Sequence, residues 1–395
     1  MSNIEDLIQQ LCPNGVEFKE LGKCTLIKRG RRVTKNELSP EKKYPVYSGG
    51  VTPMGYFEKY NQSANTITIV KYGTAGFVNY IIEDFWANDV CYCIEPTHGV
   101  EKKYLFYFLK SRQEMIQSLS TNAIPAHLPT DAIEKIKIPI PPLPIQQEIA
   151  NILDKFTQLE AELEAELEAR RAQYEYYRND LLNFEGKEVE WKTLGEIGKF
   201  IRGNGLQKKD FTESGIGCIH YGQIYTYYGT FTDKTKSYVS VDMAKKFKKA
   251  QKGDLIIATT SENVEDVCKT VVWLGNEEIC ISGETYIFKH NQNSKYLAYY
   301  LQTPMFFDYK KQNVTGTKVI RLHGDKLEKF SIPIPPLTEQ ERIVGILDKF
   351  DALVNDISTG LPAEIEARRK QYEYYRGKLL SFEPLTTFTT QSNNN

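Results

Sequence analysis

The sequence has no long apolar run: nothing in its 395 residues approaches the 18 or more consecutive apolar residues that a membrane span requires. Its start, MSNIEDLIQQLCPNGVEF, carries acidic residues where a signal peptide needs positive charge. A cytoplasmic chain with no membrane partner is expected. The seven cysteines (Cys12, Cys24, Cys91, Cys93, Cys218, Cys268, Cys280) are odd in number, scattered and never spaced as C-x-x-C, which excludes a zinc ribbon and points to buried free thiols. Cys91, Cys93 and His98 could form part of a metal site, but C-x-C on an apparent strand reads as packing on two faces of a sheet, so no metal is expected. Five histidines lie far apart, without metal or triad spacing. The chain also lacks a G-x-x-x-x-G-K-[ST] loop, a glycine-rich loop opening a helix, and any N-P-P-[YF] or D-P-P-[YF] run. An NTPase, a hydrolase and a fused methyltransferase are thereby disfavoured.

What is present is organised. The length suits two or three domains, and 41% hydrophobic with 26% charged residues describes a folded protein. The net charge of −1 conceals a pattern: residues 1–137 carry +2, 138–186 carry −6, 187–331 carry +5 and 332–395 carry −2. Two mildly basic blocks alternate with two acidic ones.

An internal repeat accounts for this alternation. IPIPPLPIQQEIANILDKF at 138–156 returns as IPIPPLTEQERIVGILDKF at 332–350 with 13 of 19 positions identical, and ARRAQYEYYRNDLLNF at 169–184 returns as ARRKQYEYYRGKLLSF at 367–382 with 12 of 16. VEFKELG at 16–22 echoes in VEWKTLG at 189–195. The bodies between these markers share little beyond strand-like runs such as TITIV (66–70) and DLIIAT (254–259). A repeat that keeps its ends and changes its middle suggests one frame presenting two different binding faces.

The prolines of each IPIPPL run forbid helix and favour an extended, polyproline-like joint. Helices follow, with a heptad seam through Ile145, Ile149, Ile152, Phe156, Leu159 and Leu163 in one copy and Ile343, Ile346, Phe350, Leu353 and Ile357 in the other. Thr338 with Glu341 has the capping-box pattern at the start of the second helix, where the first has Pro144. A near four-residue LEAE period from Leu159 favours helix but slips the heptad at Leu163 to Leu167. Ser358-Thr359-Gly360-Leu361-Pro362 is expected to break the second helix. Residues 145–182, if unbroken, make a rod of roughly 57 Å, too long to stand alone. Pairing of the two helices within the chain, antiparallel, is the most economical solution; packing of each on its own body, or pairing between chains, are the alternatives.

In this arrangement the sequence resembles the specificity subunits of Type I restriction-modification systems: two variable bodies, each followed by IPIPPL-x-x-Q-x-x-I…ILDKF and EARR-x-QYEYYR-x-x-LL. The LEAE period resembles the branch that carries four-residue repeats in the central helix. The resemblance spans the whole chain. It implies an α+β fold of two α/β target recognition domains separated by two long antiparallel coiled-coil helices about a pseudo-two-fold repeat. The expected divisions are recognition domain 1 at 1–143, the central helix at 144–185, recognition domain 2 at 186–337, the C-terminal helix at 338–385 and a disordered tail at 386–395. It implies further that each domain reads one half of an asymmetric, split site in double-stranded DNA, with the helices as a ruler. The partners would be two modification subunits, which bind S-adenosylmethionine and methylate adenine, and restriction subunits using ATP and Mg; this chain itself would bind no cofactor and catalyse nothing.

Candidate DNA contacts follow from residue chemistry. In the first body Lys28, Arg29, Arg31, Arg32 and Lys35 crowd around Gly30 as a phosphate-gripping loop, followed by Tyr47 and Ser48, while Lys71 and Tyr72 end the TITIV strand. In the second, Arg202, Asn204, Lys208 and Lys209 hold the same place after the repeat opening, and Tyr221, Gln223, Thr315, Thr317, Lys318 and Arg321 offer groups able to meet base edges. Lys245, Lys246, Lys248 and Lys249 read as a solvated helix face. For every one of these the alternative is ordinary solvated surface. Tyr174, Tyr176, Tyr177 and Arg178, with their copies Tyr372, Tyr374, Tyr375 and Arg376, put aromatics on more than one side of a helix; Tyr174, Tyr177, Arg178, Tyr372, Tyr375 and Arg376 are the partner-binding candidates, with packing inside the chain as the alternative. A non-catalytic scaffold whose bodies bind proteins instead of DNA is the competing reading.

Overall fold

The computed structural model describes residues 2–121, 126–356 and 358–386; residues 387–395 of the tail expected at 386–395, and the seam residue Ile357, lie outside them. The chain forms two compact units, residues 1–162 with 365–395, and residues 163–364. Both mix sheet and helix. Among the described residues no helix is long and apolar enough to cross a membrane.

The first unit is built on a four-stranded antiparallel sheet in the order Thr25–Arg29, Cys91–Pro96, Thr66–Val70, Val78–Ile81. Strand Thr66–Val70, the TITIV run, is buried at every position, as expected of a strand covered on both faces. Helix Lys102–Ser111 packs on it through Tyr104, Leu105 and Phe108, and one core joins these to Ile67, Ile69, Tyr92 and Ile94. In the second unit a five-stranded sheet repeats the plan in the order Gly198–Arg202, Thr285–His290, Leu255–Ala258, Thr270–Trp273, Phe231–Thr232. Leu255–Ala258, from the DLIIAT run, holds the place of TITIV beside the returning strand. A second sheet has the order Ser237–Val239, Ile216–Ile219, Ile279–Ile281, Lys249–Ala250; among the described residues of the first unit its counterpart is three-stranded.

All seven cysteines are unbridged, and six are buried. Cys91 and Cys93 share one small apolar cluster: alternate residues of a strand face the same way, so the expectation of opposite faces is corrected. Burial pushes both thiols up to about 12. The four lysines at 245–249 are also not a helix face; the helix Val241–Ala244 ends before them and Lys249 opens a strand.

Each proline joint is an extended strand, and it is paired. Glu17–Glu20 runs antiparallel to Lys137–Ile140, with Phe18 opposite Pro139; Glu190–Thr193 runs antiparallel to Ser331–Ile334, with Trp191 opposite Pro333. Proline cannot donate, so it suits a two-stranded ladder, where one edge needs no partner. The same side chains lock both joints. The Tyr104 hydroxyl donates to the Pro139 carbonyl at 2.9 Å, and Tyr296 to that of Pro333 at 2.9 Å. Gln146, fully buried, accepts from the Glu101 amide at 2.8 Å and donates to the Pro141 carbonyl at 2.6 Å. Gln340 repeats this with Asn293 at 3.0 Å and Pro335 at 2.9 Å. Asp154 takes Lys103 and the Tyr107 hydroxyl, and Asp348 takes Lys295 and Tyr299, with 2.7 Å to each tyrosine. The signal was in the sequence: KYLFYFL at 103–109 and KYLAYYL at 295–301 agree at five of seven positions.

A helix of 39 residues, Leu143–Leu181, follows the first joint. After the second, Leu337–Asn355 and Leu361–Leu379 are separate helices, broken where Gly360 lies so close to the Ala352 carbonyl that a Cβ would stand 2.5 Å from it. The capping box expected at Thr338 is absent; Pro336 is the N-cap, with no side-chain cap.

Both modes of packing that the seam allowed are used. Ile145, Ile149 and Leu153 bury against the first body. Further along, Phe156 meets Tyr372 and Tyr375 with ring centroids 6.2 and 5.6 Å apart, and Glu160 pairs with Arg369; residue numbers rise on one helix as they fall on the other, so the pair is antiparallel. In the second unit Phe350 meets Tyr174 and Tyr177 at 6.3 and 5.4 Å. Each copy's phenylalanine therefore touches the other copy's tyrosine pair. In the second copy the seam departs from the heptad expected, with Val354 buried and Leu353 exposed; in the first, Leu163 and Leu167 are both buried, in line with the slip expected at the LEAE run.

Candidate nucleic-acid interface

The two sheets end alike. Arg29 closes one first strand and Arg202 the other, and each donates to a carbonyl in the loop before the neighbouring strand, Asp89 and Gly283, at 3.2 Å in both cases. The glycine that follows has no alternative. A Cβ on Gly30 would lie 2.2 Å from the Ala87 oxygen, and one on Gly203 2.0 Å from the Ser282 oxygen. A 3-10 turn comes next in both, Lys35–Glu37 and Lys208–Asp210, so Lys35 and Lys208 hold equivalent places.

In the first unit the loops are tied together by Asn88, a buried residue that sequence reading missed. Its side chain bonds the Val33 amide and carbonyl at 3.2 and 3.1 Å and reaches the Ser48 hydroxyl at 3.4 Å. Gly49 accepts from the Thr74 amide at 2.9 Å, and Gly73 (φ +88°) tolerates the approach of that loop because it has no Cβ. The structure thus brings the basic loop, Ser48 and Lys71–Tyr72 to one end of the sheet. Lys28, Arg29, Arg31, Arg32 and Lys35 are all exposed there. Ser48, Lys71 and Tyr72 are half-buried at the same end, as is Tyr47, which stands edge-on to Phe85 with burial raising its phenol.

The second unit gathers Arg202, Thr260, Glu284, Thr315 and Arg321. The Thr260 hydroxyl donates to Glu284 at 2.6 Å, and Arg202 and Arg321 approach the same carboxylate, each at 3.8 Å. Lys208, Lys209, Thr317 and Lys318 are exposed on neighbouring loops. Two candidates are already occupied. The Asn204 amide is bonded at both ends, to the Lys246 carbonyl at 2.7 Å and the Lys248 amide at 2.8 Å. Gln223 accepts from the His220 amide at 3.0 Å and donates to Ser237 at 2.6 Å. Tyr221 is half-buried at the start of helix Tyr221–Thr226, its amide bonded to Ser282 and its ring beside buried His220. Burial lowers His220 from its ordinary value, with Lys208 adding to the effect.

The tyrosines of the repeat divide by face. Tyr174 is only 6% exposed, stacked on Phe350, and its hydroxyl points to Asp351 at 3.5 Å. Tyr372 and Tyr375 pack on the first core, and Arg178 and Arg376 lie over the Tyr174 and Tyr372 rings. These residues hold the helices together. The most exposed members of the motif are Tyr176 and Tyr374, 66% and 65% exposed, one on each copy, whereas Tyr177 is 39% exposed with one face on Phe350. Among the described residues no group of three His, Cys, Asp or Glu could hold a metal ion.

Comparison with known proteins accounts for the duplicated plan. The model of the Type I restriction modification DNA specificity domain matches twice, over residues 13–169 and 186–367. A Haemophilus influenzae protein named as a type I restriction enzyme specificity subunit is 32% identical over 413 residues, covering 97% of this chain and all of that one. The EcoR124I/EcoR124II specificity subunit of Escherichia coli is 36% identical over 292 residues, 71% of this chain and 70% of its own. Among solved structures, the type I S subunit of M. genitalium superposes with a TM-score of 0.62 at 18% identity, covering 93% of this chain and 96% of that one. The chain belongs to the family of type I restriction-modification specificity subunits.

Proposed function

We propose that this chain reads an asymmetric, two-part site in double-stranded DNA, one half per variable body, and directs partner methyltransferase and endonuclease subunits to it without catalysing a step itself. The observation that carries the reading is the repeated sheet end: one backbone frame, an arginine-glycine turn and a lysine-bearing 3-10 turn in both units, dressed with different side chains. Exposed Lys28, Arg31, Arg32 and Lys35, and Lys208, Lys209 and Lys318, supply phosphate contacts that position the duplex. The 39-residue helix sets the number of unread base pairs between the halves. S-adenosylmethionine, ATP and Mg belong to the partner subunits in this reading, and exposed Tyr176 and Tyr374 offer a matched pair of positions for two copies of one modification subunit.

The test is binding by the chain assembled with its modification subunits to duplexes carrying both halves, either half alone, or neither, across a salt series. Binding to the two-part site well above that to either half is expected. Equal binding to one half, or weak salt-labile binding without sequence preference, would instead favour a scaffold whose bodies bind proteins.

A further inference from the structure

The sheet ends carry one more matched feature, in which the backbone is repeated and the chemistry is not. Residue 72 faces residue 127 across an antiparallel bridge in the first unit, and 260 faces 321 across the same kind of bridge in the second. The correspondence extends to their neighbours. The Leu128 amide donates to the Lys71 carbonyl at 2.9 Å and that of Leu322 to Thr259 at 3.2 Å; the Thr121 amide donates to His127 at 2.8 Å and that of Thr315 to Arg321 at 2.9 Å. On this shared ladder the first unit carries an aromatic pair, Tyr72 stacked on His127 with centroids 5.3 Å apart and planes at 24°, and the Lys71 ammonium 5.3 Å from the tyrosine ring. The second carries Thr260 and Arg321, the arginine Nε 3.4 Å from the threonine hydroxyl, with Glu284 bonded to that hydroxyl and facing Arg202 as well. Val90, immediately before the returning strand of the first unit, holds the place of Glu284.

Glu284 is the informative residue. A carboxylate at an end that grips phosphate works against affinity, and exposed ion pairs add little stability. What it does provide is an acceptor for an exocyclic amine and a brace for two guanidinium forks. Arginine matches the O6 and N7 acceptors of guanine, and a carboxylate accepts from the N4 amine of cytosine.

We propose that these bridge positions are where the two halves of the chain differ in what they read: Arg321 with Glu284, seated on Thr260, reads a G·C pair in the second half-site, and Tyr72 with His127 reads the first. The proposal rests on the DNA-reading function proposed above.

The experiment selects bound duplexes from a random-sequence pool with the full chain assembled with its modification subunits. Glu284→Gln and Arg321→Ala should each lose about tenfold or more of the discrimination at one G·C position of one half, leaving the other half and the salt dependence unchanged. Tyr72→Ala with His127→Ala should do the mirror image. Arg321→Lys should keep affinity but not discrimination, since an ammonium lacks the fork. Selection of the other half reports that each variant is folded. Uniformly weaker binding with the selected motif intact and the salt slope lowered by about one would make these residues phosphate anchors and overturn the proposal, as would changes in both halves at once. A wild-type complex that selects no two-part motif would overturn the DNA-reading function instead.

Discussion

The joints and the sheet ends are both duplicated, yet they have diverged differently. At the joints the two copies use the same tyrosine, glutamine, aspartate and lysine, with hydrogen-bond lengths agreeing within 0.3 Å. At the sheet ends the backbone ladder, the arginine-glycine turn and the lysine-bearing 3-10 turn are kept, while Tyr72 and His127 give way to Thr260 and Arg321. The joint holds each body against its helix in one way; in the function proposed above, the end meets a half-site that differs between the copies. Structure is shared where the task is shared.

That contrast can be broken most severely at the shared glycines. Gly30→Ala and Gly203→Ala each place a Cβ inside 2.3 Å of a carbonyl oxygen, and each should cost about 3 kcal/mol or more and abolish reading of its own half alone, as seen by thermal melting with half-site binding. Deleting Leu163–Glu166 should shorten the long helix by about 6 Å and turn one end by about 40°. Both halves should remain readable while the preferred spacer changes; an unchanged spacer in selected duplexes would dismiss the ruler. Gln146→Ala and Gln340→Ala should each cost about 1–3 kcal/mol, because a buried amide and carbonyl lose their partner. The two losses should match in denaturant titrations, and a large disparity would show that the joints are alike in geometry but not in energy.

The smallest effect separates the two helix contacts. Asp351, buried beside Phe350 and bonded by Asn355, Thr230 and Tyr174, is raised from its ordinary value chiefly by burial. A carboxyl raised in the folded state favours folding while protonated and loses that contribution as pH rises through its folded value. Asp351→Asn should therefore melt above the parent at pH 8, with the difference shrinking as pH falls through the carboxylate range. Thr157 occupies the matching position in the other copy, and its replacement by Ala should show no such pH dependence.

The repeat makes the joints and helices legible in the sequence, because identity at 138–156 and 332–350 marks positions where side chains meet their own chain. The sheet ends were legible only as places. Lys28 to Lys35 and Arg202 to Lys209 stood out as basic runs after a common opening, but Asn88, His127 and Glu284 belong to no run and no repeat. Asn204 and Gln223 looked free in sequence; their amides are taken by backbone at 246–248 and by Ser237, partners that only folding brings close. The tyrosines were separable in principle. Positions 174 and 177 share a helix face while 176 does not, so the exposed pair Tyr176 and Tyr374 follows once the seam is known to run through Phe350 and Phe156.

The exchange of aromatic contacts, Phe156 with Tyr372 and Tyr375, Phe350 with Tyr174 and Tyr177, means that a polypeptide ending near residue 186 would possess both the plug and the socket without being able to join them to each other. A twin could complete it, and a dimer by light scattering, not a monomer, is expected of such a fragment. In the DNA-reading function proposed above, two identical heads would then face a palindrome. Fusing the copies into a single gene frees each head to drift alone, and asymmetry in the target becomes available without inventing a new interface.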